Sequence, residues 1–194
     1  MKNRVVTISR EFGSGGRTVG KELAEQLGIP CYDHDIIDKL AEESGLSKDY
    51  ISETSEYTAH GGILAGAFIP RDMNGRSLQD ELWITQNKLI KELAAQGPCV
   101  IVGRCADYIL QEDADLLKVF IYADMDSRAK RIVEQYGEGD ASPEKRLKDK
   151  DKRRAAYYNY YTDTKWGDPE NYDLCLNSGS LGIEKCVEIL KGLY

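Results

Sequence analysis

The sequence predicts an α/β fold, a parallel sheet covered by helices on both faces. Three observations carry this prediction. Short apolar runs alternate along the chain with amphipathic stretches at helical spacing. The first run, Val5-Val6-Thr7-Ile8, feeds a glycine-rich turn that opens a helix. The chain has 194 residues, 41% hydrophobic and 30% charged, which is enough to bury the core of one compact domain.

The elements follow in order. After the turn, Val19, Leu23, Ala24 and Leu27 recur at helical spacing until Gly28 stops the helix. Residues 30–32 read as a short second strand, and Asp33 or Asp35 caps a helix carrying Ile36, Ile37, Leu40 and Ala41. The stretch 78–95 places Leu78, Leu82, Leu89 and Leu93 on one stripe and ends before Gly97-Pro98. Residues 99–103 form a buried central strand, 117–122 another and 173–176 a fifth. No repeat, low-complexity tract or linker divides the chain, so 1–194 reads as one domain. Two stretches resist the alternation. One, 47–76, is polar, punctuated by His60-Gly61-Gly62, and carries Arg71 and Arg76; the other, within 126–166, is a long charged helix followed by clustered aromatics. Insertions at the carboxyl ends of parallel strands are where substrates bind and lids move, so these read as a substrate-binding insertion and a lid.

Composition excludes several functions. A formal net charge of -7 argues against a nucleic-acid or anionic-membrane partner, so positive charge must act locally. No apolar run approaches a membrane span, and Met1-Lys2-Asn3-Arg4 leads into a core strand rather than a signal segment. The five cysteines are odd in number and lack C-x-x-C spacing, which predicts reduced thiols in a cytoplasmic protein without a metal cluster. His34 and His60 have no metal-ligand spacing and read as structural or surface residues. Leu82, Trp83 and Ile84 exceed one helical stripe and are candidates for a homodimer contact.

The turn after the first strand is a phosphate cradle. Gly13, Gly15 and Gly16 remove the Cβ atoms that hold backbone amides away from an anion, and the helix amino end supplies unpaired N–H groups and positive dipole charge. Gly15-x-x-x-x-Gly20-Lys21 has the spacing of a Walker A string, but Glu22 stands where a hydroxyl residue belongs. That register also puts Lys21 about a turn inside the helix. The preferred register takes Gly13-Ser14-Gly15-Gly16 as the cradle and Thr18 as the hydroxyl that reaches a metal ion. The lysine position then falls on Gly16, leaving Arg17 or Lys21 to supply the charge. A dinucleotide G-x-G-x-x-G reading from Gly13 fails at Thr18.

The run Ile8-Ser9-Arg10-Glu11-Phe12-Gly13-Ser14-Gly15-Gly16-Arg17, with Cys99-Val100-Ile101-Val102-Gly103-Arg104-Cys105-Ala106-Asp107-Tyr108-Ile109-Leu110, resembles the cytidylate kinase-like family of nucleoside monophosphate kinases. The resemblance continues in 119–123, in Lys165-Trp166-Gly167 and in 172–177. It implies a P-loop NTPase fold with a five-stranded parallel sheet, a substrate-binding insertion after the second strand and an arginine-rich lid after the fourth. It also implies ATP and Mg2+ as cofactors, and phosphoryl transfer to CMP or a related monophosphate. Carried over by residue, Asp33 matches an aspartate of the monophosphate region and Lys39 lies near a phosphate-binding arginine. Gly103-Arg104 matches the Gly-Arg after the third strand. Val102 stands at an aspartate position, leaving Glu11 or Asp33 as the compensating carboxylate. Arg128 and Arg131 belong to the lid, and Asp151-x-x-Arg154 resembles a base- and phosphate-contacting pair.

Phosphoryl transfer needs positioning and positive charge around the transferring oxygens. On this reading Arg17, Arg104, Arg128, Arg131 and Arg154 carry the reaction. Gly13, Ser14, Gly15, Gly16, Arg17, Thr18 and Lys21 hold ATP, and Asp33, Lys39, Arg104, Asp151 and Arg154 hold the acceptor. A phosphotransferase acting on a nucleoside monophosphate such as CMP leads. A kinase of the same fold with another small-molecule acceptor is second, and a non-catalytic nucleotide-binding regulator, motivated by the missing lysine, is third.

Overall fold

The computed structural model describes residues 4–33, 35–48, 51, 77–112 and 115–194. The candidate residues His34, His60, Arg71 and Arg76 lie outside the described residues, as does most of the 47–76 stretch. Among the described residues the architecture is a five-stranded, wholly parallel sheet in the order β2-β3-β1-β4-β5. The strands are β1 (Arg4–Arg10), β2 (Cys31–Tyr32), β3 (Cys99–Val102), β4 (Asp115–Tyr122) and β5 (Leu174–Asn177). The helices are α1 (Gly16–Leu27), α2 (Asp35–Ser44), α3 (Leu78–Ala95), α4 (Ala106–Ile109), α5 (Met125–Tyr136), α6 (Pro143–Thr162), α7 (Ser178–Leu181) and α8 (Ile183–Leu193).

The pleat of the central strands divides the core into two layers. Val5, Cys99 and Ile101 join Ile36, Leu40, Leu89, Ile90 and Leu93 on one face. Val6, Ile8, Val100 and Val102 join Val19, Leu23, Val187 and Leu190 on the other. Successive side chains of a strand point to opposite faces, so β-branched runs such as Val5 to Ile8 supply both layers at once. Local signals fix the helix limits. Gly28 ends α1 in the left-handed region, and Ser77 and Asp80 close a capping box on α3. Asp124 accepts from the Ser127 amide at the start of α5, and Ser142 with Pro143 opens α6. The five cysteines are free thiols, and burial with a neighbouring Cys31 pushes the Cys99 thiol up to about 11. No described helix is long and apolar enough to cross a membrane.

One buried polar contact ties α6 to the short α4. Asp107 is 3% exposed; burial pushes its carboxyl above the ordinary range, although Tyr158 Oη donates to Oδ2 at 2.8 Å and pulls the other way. The folded chain therefore holds this proton more tightly than the unfolded chain. The carboxyl costs nothing below its unfolded value, and it costs stability as pH rises through the raised one. Asp107→Asn keeps an acceptor for Tyr158 without the charge. Urea denaturation is expected to show the variant gaining on the wild type between acid and neutral pH; a wild type that gains on the variant contradicts this sign.

Candidate active site

The site forms where β1 and β3 end. Backbone hydrogen bonds carry the sheet into the glycine loop: Glu11 N donates to Ile121 O at 3.0 Å, and Glu11 Oε2 accepts from Ala123 N at 3.2 Å. Gly13 and Gly15 have φ of 76° and 78°, a region that strains any side chain. Ser14, fully buried, turns inward. Its Oγ donates to Glu11 O at 2.9 Å, and its carbonyl accepts from Ser178 Oγ. The serine of the cradle thus shapes the loop and does not face the cleft. α1 begins at Gly16, so the amides of the loop end stand at the start of a three-turn helix.

A cleft of about 180 Å³ opens over this loop, and Arg10, Arg17, Arg104, Arg131 and Arg154 all line it, together with Gly13, Gly15, Gly16, Thr18, Glu11 and Asp33. On a chain of net charge -7, five guanidinium side chains concentrate positive charge on one cleft. Each is held differently. Arg17 pairs with the largely buried Asp33. Arg131 Nη1 donates to Gly13 O at 2.7 Å, so α5 is docked on the loop. Arg154 Nη1 donates to Arg10 O at 3.2 Å, with its guanidinium 5.5 Å from the Phe12 ring centre.

Arg104 follows β3 in an unusual turn. Gly103, Arg104 and Cys105 have φ of 75°, 60° and 54°. The two non-glycine residues each cost on the order of 1 kcal/mol in this region. Gln86 secures the turn, its Nε2 donating to Arg104 O at 3.0 Å, and Gly103 N donates to Ile8 O at 2.9 Å. A smaller pocket of about 60 Å³ adjoins the cleft and shares Arg10, Arg104 and Arg154 with it. Ser9, Gly103, Cys105, Tyr157, Tyr158 and Trp166 line the remainder. The aromatics at the end of α6 are therefore core and pocket wall together. Tyr157 and Tyr158 are buried, Tyr161 stacks on Trp83 at 4.4 Å between ring centres, and Tyr160 is exposed.

The structure places other sequence-predicted residues elsewhere. Arg128 is 5% exposed and turned into the protein, where Nη1 meets Asp151 Oδ2 at 2.5 Å, Nε lies 3.5 Å from Glu11 Oε2, and Nη1 also donates to Phe12 O. Asp151 Oδ1 in turn accepts from Phe12 N at 2.7 Å. The pair is absorbed in locking α5 and α6 onto the loop and does not line the cleft, because the loop backbone offers it hydrogen bonds that solvent would otherwise supply. Glu11 is also engaged: burial raises its carboxyl, while the Ala123 amide and Arg128 draw it down. Lys21 and Lys39 are exposed and outside the cleft lining, since each falls off the buried stripe of its helix. Among the described residues no three His, Cys, Asp or Glu side chains gather into a metal-binding cluster.

Two residues of the site carry little local sequence signal. Arg10 looks like the polar end of a strand. Gln86 does leave a trace, since it interrupts the apolar stripe between Leu82 and Leu89.

Residues 5–180 match the cytidylate kinase-like family. The chain belongs to that family. It is 32% identical over 192 residues to the cytidylate kinase of Archaeoglobus fulgidus, covering 95% of this chain and 91% of that one. A solved structure of an uncharacterized protein from Eubacterium ventriosum is similar with a TM-score of 0.73 at 28% identity, covering 97% and 96% of the two chains. The shikimate kinase of Bacteroides thetaiotaomicron shares the fold, with a TM-score of 0.53 at 17% identity over 98% and 96%. The architecture of this family member is accordingly that of the P-loop kinases, and the family is one of kinase-like phosphotransferases.

Proposed function

We propose that this protein transfers the terminal phosphoryl group of ATP to a nucleoside monophosphate, with CMP as the acceptor. The observation that carries the reading is the set of five arginines lining one cleft above a glycine loop, with an aromatic-walled pocket sharing three of them. Similarity to cytidylate kinases supports CMP in particular. In the reaction the bond between the γ-phosphorus and the β,γ-bridging oxygen breaks as a CMP phosphate oxygen bonds to that phosphorus, and ADP and CDP leave. No general base is needed, because the acceptor is already anionic.

The residues take the following roles. The amides of the loop end and the start of α1 hold the donor phosphates; the glycines let this loop pack, since a Cβ at Gly13 or Gly16 would stand within 3 Å of Ile132 or Arg10 side-chain carbons. Arg17, steadied by Asp33, flanks them. Arg104 and Arg154, which face both cavities, hold the transferring and acceptor groups. Arg131 binds from α5, and Tyr157, Tyr158 and Trp166 wall the acceptor. Arg128 and Asp151 position the loop rather than touching substrate. Thr18, exposed at the cleft, fits a Mg2+ held largely by nucleotide phosphates, and bound Mg2+ would neutralise charge on those oxygens. The 126–166 segment acts as the lid of a single domain, since its helices bring Arg131 and Arg154 to the loop.

A coupled ADP-release assay with ATP, Mg2+ and a panel of acceptors tests this. CMP or dCMP is expected to turn over faster than AMP or GMP. Turnover only with a hydroxyl-bearing sugar or acid would assign another acceptor, and ATP binding without any turnover would favour a regulator. Arg154→Ala is expected to lower turnover roughly 10²- to 10³-fold, as loss of one preorganised donor does. Its effect on stability stays near 1 kcal/mol, the worth of a hydrogen bond to the half-buried Arg10 carbonyl. An unchanged turnover in this variant removes Arg154 from the site.

A further inference from the structure

We propose that Arg10 supplies the fixed charge that a phosphate loop ordinarily takes from its lysine, and that Gly16 and Gly103 are glycines because this side chain lies across the floor of the cleft between them. The inference rests on the phosphoryl-transfer reading and deepens it. Arg10 is the last residue of β1, paired with Ile121 of β4. A Cβ on Gly16 would stand 2.5 Å from Arg10 Cβ and 3.0 Å from its Cγ. At the other end, a Cβ on Gly103 would run into the guanidinium, with Cζ at 3.0 Å. The two glycines therefore bracket the stem and the head of one side chain.

That head ends beside Arg104, where the cleft and the aromatic pocket meet. Among the described residues Arg10, Arg104 and Arg154 line both cavities, which is the place a transferring phosphoryl group needs positive charge. A side chain at position 16 is excluded by the stem of position 10, whose Cβ and Cγ would stand 2.5 and 3.0 Å from its Cβ. The chain therefore has its cation on the strand instead of the helix, and the missing lysine is a relocation rather than a loss. An arginine merely filling space predicts the same packing but not the following binding behaviour.

Isothermal titration calorimetry with tripolyphosphate and with ATP, on the intact protein, separates the two. Arg10→Gln keeps a polar stem over Gly16 and deletes the charge; Arg10→Lys keeps the charge; Lys130→Ala, an exposed lysine on α5, is the control. Arg10→Gln is expected to weaken tripolyphosphate and ATP about 10- to 100-fold, the scale of a charge-assisted hydrogen bond, with Arg10→Lys between it and the wild type. A folded Arg10→Gln that binds both as the wild type does overturns the proposal. Should Arg10→Gln fail to fold, Arg10→Met, which keeps a long stem without the charge, decides: a loss of tripolyphosphate affinity of about 10- to 100-fold in the folded variant upholds the proposal, and affinity equal to the wild type overturns it. Tripolyphosphate binding by a wild type that phosphorylates no monophosphate removes the acceptor reading and leaves the Arg10 test intact. CMP turnover with phosphate binding unchanged in Arg10→Gln removes Arg10 and leaves the reading.

Discussion

Replacing Arg128 by methionine is expected to cost about 3 kcal/mol of folding stability, the toll of leaving largely buried charges without their partner. The methionine fills the space, but Asp151 and Glu11 lose the guanidinium 2.5 and 3.5 Å away, and Phe12 O loses a donor. For a chain of this size that loss corresponds to a fall in Tm of roughly 6–12 °C. Two controls identify its cause. Adding Asp151→Asn to Arg128→Met is expected to recover part of the loss, because one stranded charge is gone while Phe12 N keeps an acceptor. Acidification is expected to narrow the gap as well. Burial already holds the Glu11 carboxyl above its ordinary value and Arg128 pulls it down, so deleting Arg128 raises it further. The carboxyl then takes a proton more readily as pH falls, and the penalty shrinks. A double variant less stable than Arg128→Met would show that lost packing rather than stranded charge dominates.

Gly16→Lys, which restores the usual lysine of a phosphate loop, is expected to harm this protein rather than improve it. The new Cβ would meet Arg10 Cβ at 2.5 Å and Ile121 Cβ at 3.2 Å. Both are the first carbons of strand residues that pair in the middle of the sheet, so neither can swing aside. Relief requires α1 or β1 to shift, at roughly 1–3 kcal/mol of overpacking. Because α1 carries the cradle amides, a displacement of this kind is expected to lower turnover about a hundredfold. Turnover above the wild type, with Tm unchanged, would show that position 16 is an empty lysine site and that Arg10 does not occupy it.

Much of the fold is legible in the sequence because its signals are local. Val5 to Ile8 announces a central strand, Gly28 a helix end, and Ser142-Pro143 a helix start, each from residues that touch one another along the chain. The glycine cradle is legible for the same reason. Arg128 and Asp151 are legible as charged residues on two helices, and the family resemblance assigns them to substrate rather than to each other. That they close on each other, and on Phe12, depends on how α5 and α6 dock against a loop far earlier in the chain. Arg10 is harder still. Its place is set by the absence of side chains at Gly16 and Gly103, two glycines that each have an adequate local explanation, as part of a loop and as the start of a turn.

The proposed reaction moves a phosphoryl group from ATP to CMP in the arginine-lined cleft. Following label from γ-³²P-ATP in the presence of Mg2+ and CMP checks it. Label is expected in CDP, formed one for one with ADP and lost in Arg154→Ala. Label released only as inorganic phosphate, or retained in ATP while ATP binding is measurable, would contradict it.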